Sequence, residues 1–276
     1  MTMATVETTA PSSKPVKLRN HAARDRLIVV AAWLAVWQLT SAFVGAQWVS
    51  SPVLVARELG QWAQTYDIYQ HAGYTLLAAL LGFVIGGVPG MLLPFAIRRL
   101  PFVANTLEPF MVAGYAVPKL ALMPLFLIWF GIGMWSKVAL VASVSFFLIY
   151  FNTMAGIRAI EPQLVRVAEI LGANARQVSR MIVFPATVTF IFTGIRVSLP
   201  LSIGGAAIAE MFSSNVGLGY LIQMSATNFD PTGSFAAILV LAGLVALTNA
   251  LVDRIERRVQ AWKPRANAFI AEGIAP

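Results

Sequence analysis

The chain has 276 residues, 58% of them hydrophobic and only 12% charged, with a formal net charge of +8 and no cysteine. A soluble domain carries about 25% charged residues, so the composition argues against a water-soluble globule. The missing thiols exclude disulfides, thiolate metal sites and cysteine catalysis. Several apolar runs of about 20 residues are each long enough to cross hydrocarbon, and the short alternating strands of a membrane barrel are not seen. The expected fold class is an all-α polytopic membrane protein.

Residues 1–20 are polar, with Pro, Ser, Thr and Lys, and contain no apolar core. They do not read as a cleavable signal peptide; residues 1–26 are expected to form a cytoplasmic tail. Six spans follow, at about 27–45, 74–97, 102–130, 138–157, 181–211 and 235–252. The third and fifth runs exceed one crossing, and tilt, a kink at Pro118 or Pro124, or projection beyond the lipid would accommodate them. After the first span, Ser51 as N-cap and Pro52 at the first helical position start a helix. Leu59, Trp62, Tyr66 and Tyr69 fall near one of its faces. That outer helix suits either packing on the membrane surface or contact with a delivery protein. Gly82, Gly86 and Gly90 recur every four residues in the second span, a smooth strip for close helix packing. Trp48 and Trp135 suit interface anchors. The segment 215–220 reads as an outer turn or a short re-entrant piece. The chain divides into the tail 1–26, a first span with its outer segment 27–69, a core 70–254 and a C-terminal cytoplasmic tail 255–276.

Lys and Arg set the orientation, because they concentrate in cytoplasmic loops. With the N-terminus inside, Arg24, Arg26, Arg98, Arg99, Arg158, Arg166, Arg176, Arg180, Arg254, Arg257 and Arg258 all fall on the cytoplasmic side. The outer side receives only Arg57 and Lys137. This bias accounts for the net charge without a nucleic-acid partner.

Between the fourth and fifth spans lies a hydrophilic insert, 161–180, EPQLVRVAEILGANARQVSR. Glu161-Pro162 starts a helix, Gly172 breaks it or adopts a positive φ, and a second short helix begins near Ala175. A helix–Gly–helix element on the inner face presents a rigid knob to another subunit, or it is an ordinary amphipathic interfacial loop. Glu169 lies one turn after Arg166 and could pair with it.

The insert resembles the coupling motif E-A-A-x-x-x-G-x9-I-x-L-P of binding-protein-dependent ATP-binding-cassette permeases. Arg166, Val167 and Ala168 occupy its first three places, and Gly172, Ile182, Phe184 and Pro185 the later ones. Arg166, Val167 and Phe184 depart from the usual Glu, Ala and Leu, which changes the charge pattern facing an ATPase. SSPVLVARELG (50–60), PKLALMPLFLIWFGIGMWSK (118–137), FFLIYFNTMAGIR (146–158) and AEMFSSNVGLGYLI (209–222) are similar to segments of the nitrate, sulfonate and taurine branch. The resemblance covers about residues 27–258. It implies the six-helix type I importer permease fold in a bacterial inner membrane, with both termini cytoplasmic, usually as a homodimer in the lipid bilayer. It also implies a cytoplasmic ATPase subunit and a soluble substrate-binding protein. The ATPase contacts it implies are Gln163, Leu164, Arg166, Val167, Ala168, Leu171, Gly172 and Ala173. No GxxxxGK[ST] phosphate loop occurs here, so no cofactor is expected in this chain, and Mg-ATP would be bound by the partner.

Lys119 and Arg196 fall near the middle of the third and fifth spans. A charge at that depth costs about 3 kcal/mol, so each should meet a partner charge, backbone carbonyls or a water-lined path that attracts anions. Glu108 and Glu210 are candidate partners, and Pro118, Lys119, Arg196 and Glu210 are the candidate pathway residues. His21 and His71 are isolated, with no metal-ligand spacing. The rival class is an ion-coupled secondary transporter or channel without an ATPase. Such proteins are often built from internal repeats, and the two halves here show no convincing similarity. A membrane enzyme lacks a GxSxG element or a catalytic carboxylate pair.

Overall fold

The computed structural model describes residues 21–65 and 67–261, with side chains from Arg24 onward. Tyr66, His21 as a side chain, and most of the two expected tails lie outside the described residues.

Twelve α-helices are described: α1 His21–Val44, α2 Ala46–Val49, α3 Pro52–Thr65, α4 Asp67–Ile97, α5 Pro101–Ala116, α6 Met123–Phe130, α7 Met134–Arg158, α8 Pro162–Ile170, α9 Ala175–Val178, α10 Phe184–Ser213, α11 Leu218–Thr227 and α12 Pro231–Val259. A 3-10 turn, Lys119–Leu122, precedes α6, and a wide π turn, Ser179–Val183, joins α9 to α10. Five helical runs are long and apolar enough to cross a bilayer, and the bent pair α5/α6 makes a sixth. Inside hydrocarbon every backbone group needs an internal partner, which is why helices carry the crossings.

The second span starts at Asp67, seven residues before the expected Tyr74. The polar stretch 67–73 continues the helix because it packs on protein: Ile68 is buried. The third span is broken, its two halves meeting at 82°. Val117 is extended at ψ 129° and hands over to Pro118, the conformation that a following proline favours. Pro124 sits in the first turn of α6 and does not bend it.

The centre of the molecule is the packing of α4, α7 and α10. Ala78, Ala79, Val141, Ile203 and Ala206 form one buried cluster. The glycine strip of α4 faces α7: a Cβ at Gly82 would meet the Val141 side chain, and one at Gly86 or Gly90 would strike the backbone of Ala142 or Phe146. Small residues therefore let the backbones approach directly. Ser145 and Ser202 hydrogen-bond across α7 and α10 at 2.8 Å. After α2, Ser51 Oγ accepts from the Leu54 N–H at 3.3 Å, the expected cap of α3. Val55, Leu59 and Trp62 turn away from solvent, whereas Tyr69 is exposed. Trp48 and Trp135 are exposed, as anchors would be.

Candidate functional site

The insert between α7 and α10 forms α8, a sharp reversal and α9. Glu161 is extended and Pro162 opens α8, a favourable start because proline's missing N–H would have had no partner there. The end of α8 is a Schellman motif: Gly172 N–H donates to Glu169 O at 3.0 Å and Ala173 N–H to Ala168 O at 2.9 Å. It requires a positive φ at Gly172, which is 85°. Two residues later Asn174 caps α9. Its Oδ1 accepts from Arg176 and Gln177 N–H at 3.0 and 2.9 Å, and Gln177 Oε1 accepts from Asn174 N–H at 2.7 Å. This reciprocal box satisfies the loose donors of the new helix. One helix is stopped and the next started within four residues, so the reversal is set by local chemistry.

No residue of α8 is buried. Leu164 and Val167 are each 55% exposed, Ile170 83% and Leu171 81%. Gln163, Arg166 and Gly172 are exposed too, while Ala168 and Ala173 are half-buried. Four large apolar residues standing in the open on a short helix form a surface that a partner would cover. Arg166 and Glu169 form no ion pair among the described residues. The element is anchored at its other end: Val178 is 4% exposed, and the Arg99 guanidinium donates to the Ala175 carbonyl.

Lys119 and Arg196 find backbone carbonyls and carboxylates, as expected of charges at that depth, but not the candidate partners Glu108 and Glu210. Lys119 folds back on the end of α5, donating to the carbonyls of Gly114, Tyr115 and Val117, the last two at 3.2 and 2.9 Å. Its ammonium also lies 4.6 Å over the Phe147 ring. A cation there meets the unsatisfied carbonyls and the negative end of the helix dipole. Arg196 pairs with Asp253 at 2.8 Å and with Glu256, both on α12. Glu108 is instead held by Arg158, and Glu210 by Thr75 and the first turn of α11. Neither carboxyl meets Lys119 or Arg196, because α5 and α10 present them to other helices.

Glu210 belongs to a buried polar cluster that the sequence did not disclose. It is 1% exposed, and Thr75 and Lys137 are fully buried. Three successive N–H groups at the start of α11 are accepted by side chains: Gly217 by His71 Nδ1 at 2.9 Å, Leu218 by Thr75 Oγ1 at 2.8 Å and Gly219 by Glu210 Oε2 at 2.9 Å. Thr75 Oγ1 donates in turn to Glu210 Oε2 at 2.9 Å. Lys137 donates to Gly133 O at 2.7 Å and to Ser213 O at 3.4 Å, and Glu210 acts on it electrostatically. The sequence alone leaves His71 isolated, with no metal-ligand spacing, and places Lys137 between the third and fourth spans.

Residues 78–261 match the model of binding-protein-dependent transport system inner membrane components. The chain belongs to that family. The permease is 33% identical over 213 residues to the riboflavin transport system permease protein RibX of Chloroflexus aurantiacus, covering 77% of this chain and 80% of that one. It is 29% identical to the formylaminopyrimidine transport permease protein ThiX of Halalkalibacterium halodurans, covering 90% and 99%. It is 29% identical to the taurine transport system permease protein TauC of Escherichia coli K12, covering 71% of each. The permease also shares its fold with the membrane subunit of the inward-facing MetNI methionine transporter, with a TM-score of 0.58 at 20% identity over 72% of this chain and 96% of that one. The type I importer fold expected from the sequence is therefore present. The permease is the non-enzymatic membrane subunit of an ATP-driven importer, and a separate subunit hydrolyses ATP.

Proposed function

We propose that α8 is the coupling helix of this importer, docking into a cytoplasmic ATPase subunit through Gln163, Leu164, Arg166, Val167, Ala168, Leu171, Gly172 and Ala173. The observation that carries the reading is the exposed apolar row Leu164, Val167, Ile170 and Leu171 on a helix that buries nothing of its own. The helix sits between two long spans, so a force on it reaches the membrane core directly. Both termini are cytoplasmic in this reading, which follows the distribution of Lys and Arg. Two copies enclose the pathway, and a soluble binding protein delivers solute from the outer side.

The solute is a small anionic molecule of the nitrate, sulfonate, taurine or organic carboxylate type. The relative described as a taurine permease supports this class; the riboflavin and formylaminopyrimidine relatives show how widely solutes vary in the family. Pro118 and Lys119, at the elbow of the broken span, are the pathway residues best supported by position. Arg196 and Glu210 contribute by holding α12 and the start of α11 against α10.

Co-expression with the neighbouring genes and purification in mild detergent tests the docking. The ATPase subunit is expected to co-purify. Leu171→Asp together with Gly172→Asp should cut its recovery at least about tenfold, the loss of one well-packed anchor. Undiminished recovery would remove α8 from the interface.

A further inference from the structure

Arg158 is the last residue of α7, and three residues separate it from α8. Its guanidinium donates to both carboxylate oxygens of Glu108 on α5, at 3.1 and 2.9 Å. Such a two-point pair fixes direction as well as distance. The rest of the attachment of α5 is apolar. No residue of α5 is buried. Val103, Ala104, Leu107 and Met111 rest on the cluster Ile97, Tyr150 and Met154, an apolar contact without directional bonds. The far end of α5 is the 82° elbow at Val117 and Pro118. Beside the ion pair, Met111, Tyr150, Phe151 and Met154 line a cleft of about 460 Å³ between α5 and α7. The helix thus has a bend at one end, a two-point tie at its middle and open space along its flank.

We propose that Glu108 and Arg158 are positioning residues for transport: the pair transmits displacement of the coupling segment to α5, so that the broken third span follows the ATPase. This rests on the reading that α8 docks the ATPase. Through the tie, a shift of the α7–α8 corner pulls the cytoplasmic half of α5, and the elbow at Val117 absorbs the rotation. Without the tie, α8 and α10 still move with the motor while α5 lags.

The chain has no cysteine, so Asn105→Cys, exposed near the cytoplasmic end of α5, supplies a unique thiol. Its rate of reaction with N-ethylmaleimide is measured in the purified complex, nucleotide-free and after trapping with Mg-ATP and vanadate. With the pair intact the two rates should differ about fivefold, the mark of a shifted equilibrium. Glu108→Gln and Arg158→Gln should each abolish the difference while the ATPase still co-purifies, and the exchange Glu108→Arg with Arg158→Glu should restore it. A difference that persists in both glutamine variants overturns the proposal, as does its absence in the intact complex. Should both glutamine variants fail to assemble, Arg158→Lys decides, because it keeps the charge without the two-point geometry. A lost response then supports the tie and an unchanged one overturns it. If no ATPase co-purifies with the unaltered chain, the docking reading itself falls, and the tie with it.

Discussion

At the residue scale, the permease places its polar side chains where they complete backbone chemistry. Glu210, Thr75 and His71 accept the first N–H groups of α11, a capping role supplied by other helices. Their removal leaves buried donors without acceptors, at about 1–3 kcal/mol each. Glu210→Ala is expected to lower the thermal unfolding midpoint in detergent and to speed hydrogen exchange at Gly217–Gly219. Glu210→Gln retains an acceptor oxygen and should be milder; equal effects would show that the carboxylate matters only as a charge. The glycine strip makes a second case. Gly86→Ala forces a methyl onto the Ala142 backbone and should destabilise by about 1–3 kcal/mol, the usual cost of overpacking. Gly204→Ala, which meets nothing within 4 Å, is the matched control and should be neutral or stabilising in its helix.

At the scale of elements, the bracket α8–α9 and the broken span differ in what defines them. The bracket is local: Gly172 at φ 85° and the Asn174–Gln177 box reverse the chain without help from the core. For this reason the sequence placed both its helices and its hinge. The elbow needed more. Pro118 marked a bend, but the 82° angle depends on Lys119 reaching back to three carbonyls and on Phe147 beneath it. The π turn Ser179–Val183 leads directly into Phe184-Pro185. Pro185 cannot donate to the turn before it, and a widened turn is where the helical register shifts. Nothing in the sequence beyond that proline announced it.

At the scale of the whole molecule, the arrangement is a block of α4, α7 and α10 with a bracket on one face and the capped helix α11 on the other. The two faces must lie on opposite sides of the bilayer, since α7 and α10 each cross it between them. The proposed orientation therefore makes a pair of linked predictions. A thiol at Ala173→Cys should react with an impermeant maleimide only in inverted vesicles, and one at Phe229→Cys, 87% exposed beyond α11, only in intact spheroplasts. The reverse pattern would invert the topology and detach the bracket from any cytoplasmic motor.

By itself the sequence determined the apolar runs long enough to cross a bilayer, the glycine face of α4, the cap of α3 and the two-part bracket. Each of these rests on hydropathy over one segment or on hydrogen bonds between residues a few positions apart. Only the tertiary structure decided which charge meets which. Glu108 meets Arg158 across 50 positions, Arg196 meets Glu256 across 60, and Glu210 meets Thr75 across 135. Of these only Glu210 and Thr75 are buried, where each polar group must find a partner, but in all three pairs which partner is met is set by the rotation and depth of packed helices. Those are properties of the assembled bundle, and no single helix contains them.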